Sequence, residues 1–255
     1  MRGNPLHHAL FMHRFKILFI SVSTCLLLQA MSVRAGWFGA DFSAEVVQGT
    51  AQGQNVRGRM YVGAGRVRTE MKLNGQLMIE IIDPNKGLAW VLDEGRNLYQ
   101  QRNVPIVSAE SVKSSNPCDA VEGAECRQLA DETLNGRSAR KWLLRINGKE
   151  RLQWNDALHG FPIQIVEAGQ LVMAMVFIGE ESLNGRHVER WRALQYRGKA
   201  VVENEQWYDP QLNIAIRLAA KDGSFRELRN IQLGAQKETL FELPQGYQRL
   251  DAAAR

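Results

Sequence analysis

"GRVRTEMKLNGQLMIEIIDPNKGLAWVL", residues 65–92, carries the pattern on which the architecture turns. Val67, Thr69 and Met71 alternate with Arg66, Arg68, Glu70 and Lys72. A period of two sends successive side chains to opposite faces of a strand, whereas a helical face needs 3.6. Asn74-Gly75 interrupts the run. A two-residue hairpin turn of type I′ needs positive φ at both central positions, which Asn and Gly tolerate best. "QLMIEII" follows, Asp83-Pro84-Asn85 supplies another turn, and "GLAWVL" resumes the strand pattern. Gly63-Ala64-Gly65 and Asp93-Glu94-Gly95 flank the stretch, and Asn147-Gly148 and Asp222-Gly223 repeat the hairpin signal further on. About a dozen short strands at this spacing predict a mainly β protein with antiparallel pairing.

Two later stretches nearly coincide: "ETLNGRSARKW" (132–142) and "ESLNGRHVERW" (181–191). The likeness continues through Trp154-Asn155-Asp156 and Trp207-Tyr208-Asp209, then through Gly160 and Asn213 into apolar runs. Each copy reads as a meander of strands. Two copies are too few for a solenoid or propeller, so one extended sheet with a duplicated β-meander is expected. "QLVMAMVFIG" (170–179) is apolar at every other position and also between them. Such a strand is expected to be covered on both faces. Leu171, Met173, Met175 and Phe177 are therefore candidates to line an apolar cavity, with Trp90, Trp142 and Trp191 beside them.

Residues 1–35 read as a secretory signal peptide: Arg14 and Lys16, an apolar run from Ile17 to Leu28, then Val33-Arg34-Ala35 before the cleavage point. Met12 is an alternative start. Cys25 offers a lipid-anchoring alternative, but Thr24 precedes it and apolar residues continue past it. No later segment is long and apolar enough for a transmembrane helix. Four of the 32 Lys and Arg lie in this leader, leaving 28 basic residues against 27 acidic. That balance calls for no nucleic acid or anionic partner.

Cys118 and Cys126 remain in the exported part, closely spaced, which suggests a disulfide. No histidine lies near them, so a metal site is not expected. Residues 105–131 are polar and aperiodic and read as one long loop pinned by that disulfide. The domain plan is then a leader (1–35) and one β domain (36–255). The domain holds an N-terminal meander (36–104), the loop (105–131), a first repeat unit (132–179), and a second unit with the closing segment (180–250).

The order "FSAEVV", "GRMYVGAGRVRTEM", "IIDPNKGLAWVL", "NGR…KW", "FPI" and "LFELPQGYQRL" resembles periplasmic proteins related to the outer-membrane lipoprotein carrier family (LolA/LolB-like). The resemblance covers most of the chain after the leader. It implies an open, curved antiparallel sheet, an incomplete barrel whose concavity, plugged by helices or loops, takes acyl chains. It also makes Arg68 a candidate contact to a lid, although Val67 stands where the carriers have an aromatic. The duplicated unit is a departure from the family.

Catalytic signatures are absent from the sequence. His159 and His187 are not paired in sequence with a Ser or Cys nucleophile, and no phosphate- or dinucleotide-binding loop appears. Asp156 and Asp209 recur because the unit recurs, each where a strand enters a turn. The expectation is a non-catalytic periplasmic binding protein with no cofactor or metal, taking a lipid, lipoprotein or other apolar ligand. The alternative is a structural protein of the envelope, with a filled core and a protein partner.

Overall fold

A computed structural model describes residues 39–73, 75–106, 116–120 and 123–250. The leader, Met12 and Cys25 lie outside the described residues. Sixteen strands form one sheet. The first meander is β1 (Phe42–Gly49), β2 (Asn55–Gly63), β3 (Arg66–Leu73), β4 (Gln76–Asp83), β5 (Leu88–Asp93) and β6 (Leu98–Asn103). The second begins with β7 (Glu125–Leu134), β8 (Arg137–Ile146), β9 (Lys149–Asp156), β10 (Pro162–Glu167) and β11 (Gln170–Leu183). It continues through β12 (Arg186–Arg197), β13 (Ala200–Asp209), β14 (Ile214–Ala220) and β15 (Phe225–Leu233), and β16 (Gln248–Arg249) closes the chain. Two short 3-10 turns, Pro117–Ala120 and Glu238–Phe241, are the only helical elements among the described residues.

The first meander runs outward from β1 to β6. The chain then crosses to the opposite edge, β7, and works back until β15 pairs with β1. Every pairing is antiparallel except that of β16 with β6, which is parallel. The sheet is open and curved, not closed into a barrel. The crossover itself demands curvature. Fourteen interstrand steps separate β6 from β7, or about 67 Å if flat at ~4.8 Å each. Only fourteen residues lie between Asn103 and Cys118, a reach of at most about 54 Å. The Cys118–Cys126 disulfide then holds Cys118 within 5.8 Å (Cα–Cα) of β7. A flat sheet would therefore tear this connection.

Strand β7 begins at Glu125, inside the stretch expected to be loop. Its residues are mostly exposed and polar. An edge strand with one open side needs no apolar alternation, so the periodicity signal is missing.

At Asn74-Gly75, Gly75 has φ 82 and Asn74 lies outside the described residues. Asn135-Gly136, Asn147-Gly148 and Asn184-Gly185 all have both residues at positive φ. At Asp222-Gly223 only Gly223 does so, at φ 87. Asp222 instead turns its carboxylate onto the Ser224 amide and hydroxyl, at 2.9 and 2.6 Å. The result is a longer loop closed by Ala220 N donating to Ser224 O.

The structure also reveals a third copy of the repeated unit. β3–β4–β5 stands to Ala64-Gly65-Arg66 as β8–β9–β10 stands to Asn135-Gly136-Arg137 and β12–β13–β14 to Asn184-Gly185-Arg186. In each copy the strand after the inner hairpin ends in a buried aspartate: Asp83, Asp156 or Asp209. Each accepts the amides two and three residues on through Oδ1, at 2.9–3.2 Å. The residue four on then takes positive φ: Gly87, Gly160 or Asn213. This turn lets a strand end in a charge because the inward-facing oxygen has its donors.

The two faces of the first meander are distinct. Directly opposed Phe42, Val62, Val67, Ile82 and Ala89 share one face, which carries much of the main core with Val46, Met60 and Leu228. Tyr61, Arg68, Ile81, Trp90 and Gln101 share the other. There Ile79, Ile81, Trp90 and Leu92 are covered by Phe241 of the closing segment, with Leu240, Leu243 and Tyr247 around it.

Two stability tests follow. Ala168 sits at φ 48 in the β10–β11 turn before Gly169, a conformation that disfavours a Cβ unless the side chain is Asn or Asp. Ala168→Asn should stabilise the fold by on the order of 1 kcal/mol, read as a higher thermal midpoint. Replacing Cys118 and Cys126 by Ser should lower stability by about 2–3 kcal/mol, read by urea unfolding of the oxidised parent against the double variant.

Candidate binding face

The face that carries Phe42 continues through β15 into the second meander. Val46 opposes Leu228, Arg226 opposes Leu218, and Leu218 opposes Gln206. Gln206 then opposes Trp191, which opposes Phe177. A parallel row runs Gln195, Met173, Ile165, Gln153 and Trp142. This shared surface, here called the inner face, is aromatic and aliphatic with amide side chains set into it. Trp142, Trp191, Met175, Gln153 and Gln206 are buried, while Met173 and Phe177 are half-buried.

Strand β11 differs from its expectation. Leu171 is 37% and Ile178 42% exposed, and of its apolar residues only Met175 is buried. The strand lies between β10 and β12 in a single sheet, and no second layer among the described residues lies across both its faces. Its continuous apolar run therefore opens to solvent and is not sealed.

At one end the inner face is closed by a polar and aromatic cluster. Glu189 is buried and meets His159 Nε2 at 3.0 Å through Oε1 and the Trp191 indole N–H at 3.0 Å through Oε2. Arg137 lies 3.6 Å from Glu189 and donates to Asp156 Oδ2 at 2.9 Å. Its guanidinium also stacks over Phe177 and Trp191, 4.9 and 5.0 Å from the ring centres. His159 packs against Phe161 and Tyr208. Burial alone would push the Glu189 carboxyl up, but the His159 hydrogen bond and the charges of His159 and Arg137 outweigh it. The group is held below the usual carboxylate range. Burial first, then the carboxylates of Glu189, Asp156 and Asp209, drive the Tyr208 hydroxyl well above its usual range.

The repeated letters have a clear use on the outer face. Trp154 N–H donates to Glu132 at 2.7 Å, and Lys141 bonds Glu132 and lies over the Trp154 ring. The second copy repeats this with Trp207, Glu181 and Arg190. Arg186 bonds Asp209 as Arg137 bonds Asp156.

Of the seven cavity candidates, Trp142 on β8, Met173, Met175 and Phe177 on β11 and Trp191 on β12 stand on the inner face by register. Leu171 pairs with Val166 across the β10–β11 bulge and so stands on the opposite face from Ile165 and Met173. Trp90 lies on the opposite face, under Phe241, its indole N–H bonded to Gln101 at 3.1 Å. Arg68 also lies on that opposite face. It bonds Glu70 at 2.7 Å and the Leu240 carbonyl at 3.2 Å, and so tethers the closing segment. Gln153, Glu189 and Gln206 carry no signal in the sequence, since polar residues in alternation read as solvent-facing. Their partnership with Trp142 and Trp191 shows only through strand register.

No family model matches the chain, and no curated protein does. Solved structures that resemble it include a "putative outer membrane lipoprotein-sorting protein domain" from Vibrio parahaemolyticus. It is 14% identical, with 86% of this chain and 95% of that chain covered and a TM-score of 0.38. An uncharacterized conserved protein from Thermus thermophilus is 13% identical, with coverages of 89% and 98% and a TM-score of 0.38. A DUF1329 family protein from Desulfovibrio piger is 13% identical, with coverages of 86% and 95% and a TM-score of 0.36.

Because the folded Glu189 lies below its unfolded value, its contribution is present above the unfolded pKa and is lost as pH falls through the folded one. Glu189→Gln should cost about 1.5–3 kcal/mol at pH 7. It should also flatten the decline in stability below about pH 4.5. Urea midpoints measured from about pH 3 to 7 for both proteins check this.

Proposed function

We propose that the protein is a periplasmic, non-catalytic binding protein that holds an acyl chain or an acylated protein against the inner face of β8–β13. The observation that carries this reading is the inner-face apolar run of β11, half-open at Met173 and Phe177 and continuous with buried Met175 and Trp191. An exposed apolar strip of this kind is costly in water and is a common mark of a ligand or partner surface. Asp156 and Asp209 are occupied with turn amides and arginines, and His159 with Glu189. We therefore assign them positioning roles and no reaction.

A second reading has its own support. Trp191 and Leu144 are fully buried, and Trp142 nearly so, as in an envelope protein whose inner face is filled by its own chain and whose outer surface meets a partner. Protein purified without detergent from the periplasm, extracted with organic solvent and examined by mass spectrometry, separates the two. Co-purified lipid, and a Met173→Asp variant that loses it while keeping its unfolding midpoint, are expected. Lipid-free protein that also fails to bind an added fluorescent acyl probe would favour the filled-core reading.

A further inference from the structure

The three repeated units place an arginine after the outer hairpin, and one copy leaves it incompletely bonded. Arg186 bonds Asp209 through Nε, and its Nη2 donates to Gln211 Oε1 at 2.8 Å. Arg66 gives its Nη2 to Glu238 at 3.1 Å. Arg137 donates from Nε to Asp156, but its Nη2 is buried and has no hydrogen-bond partner among the described residues. The sequence supplies the reason. Two residues after Asp209 stands Gln211, whereas two residues after Asp156 stands Leu158, which has no side-chain acceptor and is 74% exposed. Buried donors in native proteins are nearly always satisfied, so this one calls for an acceptor that the described residues do not supply.

The surroundings of Arg137 say what kind of acceptor fits. Four interstrand steps separate β8 from β12, about 19 Å if flat at ~4.8 Å each. Curvature brings the guanidinium to 4.9 Å from the Phe177 ring centre and 5.0 Å from that of Trp191. It therefore lies at one end of the apolar strip of β11. From Phe177 past Met175 to Met173 that strip runs about 13 Å at ~3.3 Å per residue. Phe177 is half-buried, and a turn of its ring uncovers the guanidinium from the strip. Asp156 and Glu189 already face the arginine's charge, so what is left over is a pair of directed N–H groups and not a net positive field. A carboxylate oxygen and a neutral carbonyl oxygen can each accept them.

Building on the acyl-binding reading, we propose that Arg137 anchors the head of the ligand. Its free Nη2 hydrogens take the carbonyl oxygen on the first carbon of an acyl group, carried by a free acid or by an ester or amide. The chain then runs along Phe177, Met175 and Met173. Ligands thus lie in one direction, head at the cluster of Arg137, Glu189 and His159, tail toward the β10–β11 turn.

Nuclear magnetic resonance of the full exported chain at pH 7 reads this direction, with stearate spin-labelled near its head or near its tail. The head label should broaden the Trp191 indole and Phe177 amide signals, and the tail label the Met173 amide. The same signals broadened by both labels, or the reverse pattern, would overturn the anchor and leave acyl binding standing. No broadening by either, with no calorimetric binding of palmitamide, would overturn both. Leu158→Gln supplies, at an exposed position, the acceptor that Arg186 has in Gln211. By occupying the Nη2 hydrogens it should weaken palmitate or palmitamide binding about tenfold in calorimetry. A loss for palmitate assigns the carbonyl to a free acid, and a loss for palmitamide assigns it to a conjugate. If Leu158→Gln leaves both affinities unchanged, whatever its effect on the thermal midpoint, the free nitrogen serves a buried water and the proposal fails.

Discussion

The sheet depends on one recurrent interaction, a buried carboxylate that ends a strand. In each of three units an aspartate accepts two successive backbone amides and so forces the chain out of β structure and into a turn. Two of these aspartates, Asp156 and Asp209, also take an arginine from the hairpin tip of the same unit. That pairing fixes the tip against the end of the next strand, so each unit is a closed local structure. A chain of such units can be extended by adding another without redesigning the core. In the first unit Lys86 takes the place of the hairpin arginine beside Asp83, at 3.6 Å. Arg66 turns instead to Glu238 and Phe241 of the closing segment. The same position thus clamps a unit in two copies and anchors the C-terminal segment in the third.

Much of this is legible in the letters, and the limits have physical causes. Alternation and the Asn-Gly turns specify strands and hairpins because backbone sterics leave few other solutions. The second and third units announce themselves because Glu132, Lys141 and Trp154 match Glu181, Arg190 and Trp207, and each set packs together on the outer face. The first unit is disguised because its outer face is covered by Phe241 and not by water. Tyr61, Glu70 and Ile81 stand there in place of the glutamate, cation and tryptophan, while Gly65, Arg66, Asp83 and Gly87 keep the frame.

The candidate face is legible in part. The apolar run of β11 and the two equivalent tryptophans, Trp142 and Trp191, point to the strands of the proposed face. Trp90 falls on the other face because a tryptophan gives no sign of which way a strand is turned; that follows from register across its neighbours. The buried amides are invisible for the same reason. Gln153 and Gln206 look like ordinary solvent-side residues until their direct partners prove to be Trp142 and Trp191.

The pairing of β1 with β15 has a consequence for how the chain comes to be folded. The sheet's two outer edges are tied by a covalent crossover, but its centre is joined only when Phe42 meets Leu233. Strands β1 to β6 can assemble from neighbours as they are made, whereas the inner edge of β1 stays bare until nearly the whole chain exists. An unpaired edge of that kind invites pairing with the wrong chain. Synthesis order therefore makes the middle of this sheet late to form and the most exposed to error; only the short rim strand β16, which pairs with β6, comes later in the chain.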